Sequence, residues 1–511
     1  MEIRTNQENY IRAAKRITTA YLFLLFCGLP LVFWRMYFDI TETKLAFFYG
    51  ASLLYLLLLL LARLFHPLDY GTKPERIRMH PAAIALLALA LCFGVGSALG
   101  GHPEEAAWGQ NNRYQGVFTL LLYAAVVFGL SQQSIDPLPP ARALAIGAVP
   151  VCLLGALNHF GVDPFGFTVN LSALDKGRFL STLGNADFYG SYLCMAVPVV
   201  AGLFLQAKRP SARVLSGLML VCACFGVLVA GSDSTALGLF AATLLFPLAL
   251  FSDLRALRRY FLALAVFSLC AFVFGMLRHG LPSATYLSGF ALLLSSPAVS
   301  GAMFAFFALL WLFLQNASPV GLRRFSRFYR IALGAAVLLG IAALVLLNTV
   351  LSDLPLGGAE HYLRFSASWG TDRGKIWMFV FRLYRSYPVP QILFGAGPGA
   401  LFHADAASRV FADAALDTAH NEYLQYLLVS GALGLAAYLA ALGFALSAGI
   451  RKCASHPEYR GLVVALAAYA AQATVNIAQP MSTPLAFLLI GVLISQGHGQ
   501  AQANMPAELE K

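Results

Sequence analysis

Four polar clusters interrupt a strongly apolar chain, and their residue types suit proton exchange and the holding of anions. The last is His420-Asn421-Glu422-Tyr423-Leu424-Gln425, placed where an apolar run begins. Asn421 and Gln425 are four residues apart and share one helix face, while Glu422 and Tyr426 share another. An imidazole exchanges its proton near pH of about 6.5. The second cluster, Lys176-Gly177-Arg178-Phe179, leads into Gly184-Asn185-Ala186-Asp187. Asn185 is placed to cap the helix that follows, and capping alone would account for it. The free amides of such a helix start also attract anions, and Arg178 lies about two turns ahead of it. The third runs from Ser366 to Arg373 and is followed by Gly395-Ala396-Gly397-Pro398-Gly399. Those glycines lack the ending of a phosphate loop and read as a turn. The first cluster spans Gly109–Gly116 around Arg113. A guanidinium forks onto phosphate oxygens and stays charged, so the arginines suit an anionic group.

These residues need elements to position them, and composition says what those are. Of 511 residues, 59% are hydrophobic and only 12% charged, far from the usual balance of a soluble domain. Solid apolar blocks such as Leu56–Leu61 and Ala342–Leu347 do not alternate, so helices rather than barrel strands are expected to span the membrane. A span needs about 20 apolar residues. Spans are expected near 18–38, 45–65, 80–99, 116–131, 141–160, 184–206, 213–231, 234–252, 260–277, 286–315, 330–351, 421–449, 461–478 and 482–496. The chain thus reads as one all-α polytopic membrane domain over 1–511 with about fourteen transmembrane helices. The run 286–315 is long for one crossing, and Ser295-Ser296-Pro297 is the place to break it. The polar start has no cleavage-site pattern, so the first span is expected to be kept.

The formal charge of +11 fits cytoplasmic loops better than nucleic acid, since no metal-knuckle spacing or stacking motif accompanies it. With the N-terminus inside, about two thirds of the 35 basic residues fall on the cytoplasmic side. Both termini are then cytoplasmic, and the four clusters share the opposite face. The long segment 352–419 becomes an external loop ahead of the twelfth span. Within it, Trp377, Phe379, Phe381 and Tyr384 with Lys375, Arg382 and Arg385 read as an amphipathic helix lying on the membrane surface. Seven of the eight cysteines lie in apolar stretches, so no disulfide framework is indicated.

Taken together, the clusters resemble the O-antigen ligase and O-antigen polymerase family of bacterial envelope glycosyltransferases. Arg113 with Gly116 matches its Arg-then-Gly motif ahead of a span, and Gly184-Asn185-Ala186-Asp187 its G-N-x-N stretch, with Asp at the last place. Gly231-Ser232-Asp233-Ser234 matches a small-residue motif, with Asp233 where the family has Arg. Arg373 near Trp377 and the Gly395–Gly399 turn follow. His420, Asn421, Leu424, Gln425 and Gly431 match the closing motif, where Val429 stands in place of an acidic residue. The resemblance covers about residues 105–445. It implies a GT-C-like fold at the bacterial plasma membrane, with an extracytoplasmic active site.

It also implies a reaction. An acceptor hydroxyl attacks the anomeric carbon of a glycan carried on undecaprenyl diphosphate, and the diphosphate leaves. A base and fixed positive charge are needed. His420, Arg178 and Arg373 are the expected catalytic residues. Arg113, Asn185, Asn421, Glu422 and Gln425 are expected to bind substrate. His420 could act as base or as a cation on the diphosphate, and Glu422 is the other base. No metal or other cofactor is expected, because neither an Asp-x-Asp nor a zinc spacing occurs. The partners implied are the lipid-linked donor, a glycan or lipid-linked acceptor and membrane lipid, with no nucleic acid. Ligase, polymerase and protein-glycosylating forms remain open. A lipid-linked glycan flippase or other secondary transporter is the rival of a different class.

Overall fold

A computed structural model describes residues 2–35, 39–67, 79–110, 113–408, 410–411 and 416–496. The described residues are helical throughout, with one isolated bridge between Ser134 and Gln496 in place of any sheet. In chain order the longer helices are α1 (Glu2–Phe23), α2 (Ile40–Phe65), α3 (Pro81–Gly100), α4 (Val117–Ser131), α5 (Leu138–His159), α6 (Ala186–Gln206), α7 (Pro210–Leu228) and α8 (Asp233–Leu250). They continue as α9 (Leu254–Gly280), α10 (Pro297–Gln315), α11 (Pro319–Asn348), α12 (Trp369–Ser386), α13 (Glu422–Lys452), α14 (Tyr459–Gln472) and α15 (Thr483–Ile494).

Among the described residues, ten helices are long and apolar enough to cross a membrane: α2, α3, α5 to α11 and α13. This is a multi-pass membrane protein by length and composition. The other four expected spans have a different form. The first lies on α1, which passes into a π-helical turn at Leu24–Gly28, and residues 36–38 of that span lie outside the described residues. α4, α14 and α15 have 15, 14 and 12 residues, rises of about 22, 21 and 18 Å against a hydrocarbon core of roughly 30 Å. The run 286–315 breaks at Ser295-Ser296 into Gly289–Leu294 and α10. Six residues rise only about 9 Å, so the outer piece cannot cross by itself.

α6 sits at the centre, packed against α5, α7, α8, α9 and α14. α13 packs along α3, and α15 fills the space between α4, α13 and α14. The link 473–482 between α14 and α15 is non-helical after Val475, yet Asn476, Gln479 and Ser482 are each at most 2% exposed. Irregular backbone at such depth persists only where protein supplies its partners. Here Gln479 Nε2 donates to Ser482 Oγ (2.6 Å), and the amides of Gln479 and Met481 donate to Thr483 Oγ1 and Gln479 Oε1. α11 stands apart. No residue of its apolar stretch is buried, and it is tied at its ends by Tyr329 to the Leu244 carbonyl and by Asn348 to Leu363 and Phe365.

Several basic residues that carry the charge asymmetry also close helix ends. Arg259 donates to the carbonyls of Leu205 and Ala207, Arg258 to those of Leu314 and Gln315, and Lys452 to those of Leu493 and Ser495. Each satisfies C-terminal carbonyls that a helix leaves unpaired, at the negative end of its dipole.

One break in a long helix matters for the site. α13 is interrupted at Gly431 (φ 70°, ψ −173°), a conformation essentially restricted to glycine. A Cβ there would lie 2.3 Å from the Leu393 carbonyl carbon. The break frees carbonyls, and the Gly395–Gly399 turn takes them up: Ala396 N donates to Leu428 O (2.9 Å) and Gly397 N to Val429 O (3.1 Å). The glycine-rich stretch is thus a packing turn, as its sequence suggested. Gly431→Ala is expected to lower stability by at least about 2 kcal/mol, read as a lower melting temperature in detergent. An unchanged melting curve would show that the break is dispensable.

Candidate active site

The half-helix Glu422–Ser430 begins at His420-Asn421. Asn421 is its cap: the side-chain oxygen accepts from the amides of Tyr423 and Leu424, both at 3.0 Å. Gln425 reaches back, its Oε1 accepting from Ala419 N (2.9 Å). Trp377 of α12 donates from Nε1 to Ala419 O (3.0 Å). The backbone on the N-terminal side of His420 is therefore held from two directions. α12 supplies Trp377 because Ile376, Phe379 and Val380 turn one face inward, while Met378, Phe381, Arg382 and Arg385 stay exposed. This helix thus has one buried and one exposed face.

Two ion pairs act on the charge of His420. In one, Arg113 meets Asp417 as a fork: Nε to Oδ2 at 2.9 Å and Nη2 to Oδ1 at 3.1 Å. In the other, Arg373 Nη2 lies 3.6 Å from Asp187 Oδ2. That second contact is loose, and Asp187 does not depend on it. Its Oδ1 accepts from Ser232 (2.5 Å) and Ser234 (3.2 Å), and its amide donates to the capping oxygen of Asn185 (2.8 Å). From the link after α14, Asn476 Nδ2 donates to the Asp187 carbonyl (3.0 Å) and to Ser191 Oγ (2.8 Å). The Arg373 guanidinium is thus seated against a fixed carboxylate with donors to spare.

Partial burial is the main cause that holds the His420 imidazole below its ordinary pKa. Arg373 and Arg113 act the same way, and the carboxylates of Asp187 and Asp417 act against them. The ring is neutral at neutral pH and able to take a proton.

Backbone strain marks the same places. Five described non-glycine residues have positive φ: Tyr114, Ser181, Thr371, Asp372 and His420. Tyr114 follows Arg113, Thr371 and Asp372 precede Arg373, Ser181 lies three residues after Arg178, and the fifth is His420 itself. Such conformations cost about 1–3 kcal/mol each and persist where surrounding structure over-determines them, as at functional sites.

Arg178 stands differently. It ends the short helix Ala173–Arg178, is exposed, and makes no ion pair among the described residues. Tyr286 links its segment to the site, donating its amide to Gly177 O (2.7 Å) while its own carbonyl lies against Gly231, next to Ser232. Glu422 points inward: its oxygens accept from Tyr438 (2.6 Å) and Tyr469 (3.0 Å). Asn185, Asn421 and Gln425 commit their side-chain oxygens to backbone amides, so they shape the site from within. Residues 111 and 112 of the first cluster lie outside the described residues.

No protein-family model and no curated protein matches the sequence. The case for function therefore rests on the site. Sequence reasoning did not single out Asp417 or Asn476. Asp417 lies three residues before His420, and Asn476 is an amide inside an apolar run, which is itself a signal for a polar task.

Proposed function

We propose that this chain is a metal-independent glycosyltransferase of the O-antigen ligase or polymerase type, acting at the outer face of a bacterial plasma membrane. In this reading the chain crosses fourteen times, with both termini cytoplasmic, counting α1 with its π-helical turn and the short helices α4, α14 and α15 along with the ten long ones. The observation that carries it is a His420 in strained backbone, held toward its neutral form, on which the Arg373–Asp187 and Arg113–Asp417 pairs both act.

The acceptor hydroxyl attacks the anomeric carbon of a glycan on undecaprenyl diphosphate. Its proton passes to His420 as the new C–O bond forms, and the bond to the diphosphate breaks. Negative charge grows on the departing phosphate, where Arg373, loosely paired, and exposed Arg178 supply fixed positive charge. Two arginines beside His420 oppose a second cation there, which favours the base role over a phosphate-binding one. The guanidinium groups give the charge a metal ion would otherwise bring.

The pH profile tests this assignment. A neutral imidazole is the active form, so transfer falls as pH drops through its pKa. With that pKa lowered, the acid limb of the rate lies below about 6.5. Arg113→Gln removes one of the lowering charges and moves the limb to higher pH. A limb unmoved by that change would separate His420 from the titration. Product length then distinguishes the two forms of the reaction: a ladder for a polymerase, one added unit for a ligase.

The broken helices support a second reading. The interruption of α13 at Gly431 and the unwound link 473–482 resemble the discontinuous helices of secondary transporters. A transporter would deliver the lipid-linked glycan unaltered, whereas the enzyme releases undecaprenyl diphosphate.

A further inference from the structure

Beneath the Arg113–Asp417 pair lies a small hollow, open on one side. It is lined by Arg113, Asp417, Thr418, Glu422, Gln425 and Tyr426, with the ring of Phe93 beside them. Most of its polar atoms are already committed. Arg113 and Asp417 hold each other, Glu422 holds two tyrosines, and Gln425 Oε1 holds the Ala419 amide. Three buried side-chain oxygens of the lining are left over, Gln115 Oε1 and two hydroxyls. Thr418 Oγ1 and Tyr426 OH are buried without a hydrogen-bond partner, and each residue is only 4% exposed. A buried polar group left unpaired is costly, so such atoms in a hollow point to a ligand that pairs with them.

The lining also selects the chemistry of that ligand. An anion would meet Glu422 and Asp417, and a cation would meet Arg113. An apolar tail would leave both hydroxyls unpaired. A neutral hydroxyl-bearing ring satisfies both and lays its apolar face on Tyr426 or Phe93. The hollow takes the edge of one sugar ring, not an oligosaccharide. Arg113 and Asp417 line the hollow and also act on the charge of His420, so a hydroxyl held here lies within reach of the same charges as the imidazole.

We infer that this hollow is the acceptor subsite, and that Thr418 and Tyr426 bind the hydroxyl edge of a neutral sugar ring for presentation to His420. This rests on the glycosyl-transfer reading and divides the site in two: donor diphosphate at Arg373 and Arg178, acceptor sugar at Arg113 and Asp417.

The test is binding, independent of turnover. The full chain in lipid nanodiscs is mixed with methyl glycosides of glucose, N-acetylglucosamine and rhamnose, and saturation transfer to each is measured by NMR. The wild type is expected to bind at least one of the three. Tyr426→Phe and Thr418→Val each weaken binding several-fold, and together by about tenfold or more, from the loss of two hydrogen bonds. Arg382→Ala, an exposed change on α12, leaves it unchanged. Tyr426→Phe removes one oxygen only and serves if the threonine variant fails to fold. No binding of any glycoside by the wild type, or equal binding by Tyr426→Phe and Thr418→Val, overturns the subsite. Glycoside binding with the expected losses, but without transfer from any lipid-linked donor, upholds the sugar site and removes the transferase reading instead.

Discussion

Replacing His420 by alanine abolishes glycan transfer while the protein still inserts into the membrane. Loss of a positioned general base costs about a hundred- to ten-thousand-fold in rate, and here it also removes the group on which both ion pairs act. His420 has φ 47°, which alanine tolerates poorly, so His420→Asn is the cleaner change. Asparagine accepts left-handed backbone and carries no base. Both variants should reach wild-type amounts in the membrane fraction with transfer reduced by the same order. Wild-type rates from His420→Asn would remove the histidine from the chemistry.

Arg373→Ala is the second large effect. A preorganised donor aimed at developing charge contributes about a hundred- to thousand-fold, and Arg373 has the geometry for it: a guanidinium 3.6 Å from Asp187, whose other oxygen is already held by two serines. Its removal leaves Asp187 hydrogen-bonded, so folding is spared more than turnover. Arg373→Lys keeps the charge but loses the fork, and recovers only part of the rate. The split between kcat and KM is informative. A fall in kcat with the donor KM little changed places Arg373 on the leaving diphosphate in the transition state. A change in donor KM alone makes it a docking residue.

Much of this was legible in the sequence because it rests on local rules. Solid apolar runs of sufficient length gave the long helices. Ser295-Ser296-Pro297 breaks a run where proline must start a new helix. Asn185 caps the helix it was expected to cap, since capping depends on a residue two positions away. Arg373 and Arg113 both act on the charge of His420. What stayed hidden depends on distant pairing. Asp417 is a carboxylate among small residues until Arg113, some 300 positions earlier in the chain, forks onto it. The role of Asn476 follows from the unwound link after α14, and hydropathy cannot distinguish a link supported by Gln479 and Thr483 from the end of a span. Glu422 could not be assigned a direction, because the tyrosines that hold it come from the far half of α13 and from α14.

The central claim is most directly met by one assay. The purified chain is placed in liposomes with a glycan on undecaprenyl diphosphate and a glycan acceptor, and both products are followed. The account predicts glycosylated acceptor and undecaprenyl diphosphate formed in equal amounts by the wild type, and neither by His420→Asn. Donor that crosses the bilayer with its glycan still attached, with no diphosphate released, would contradict it.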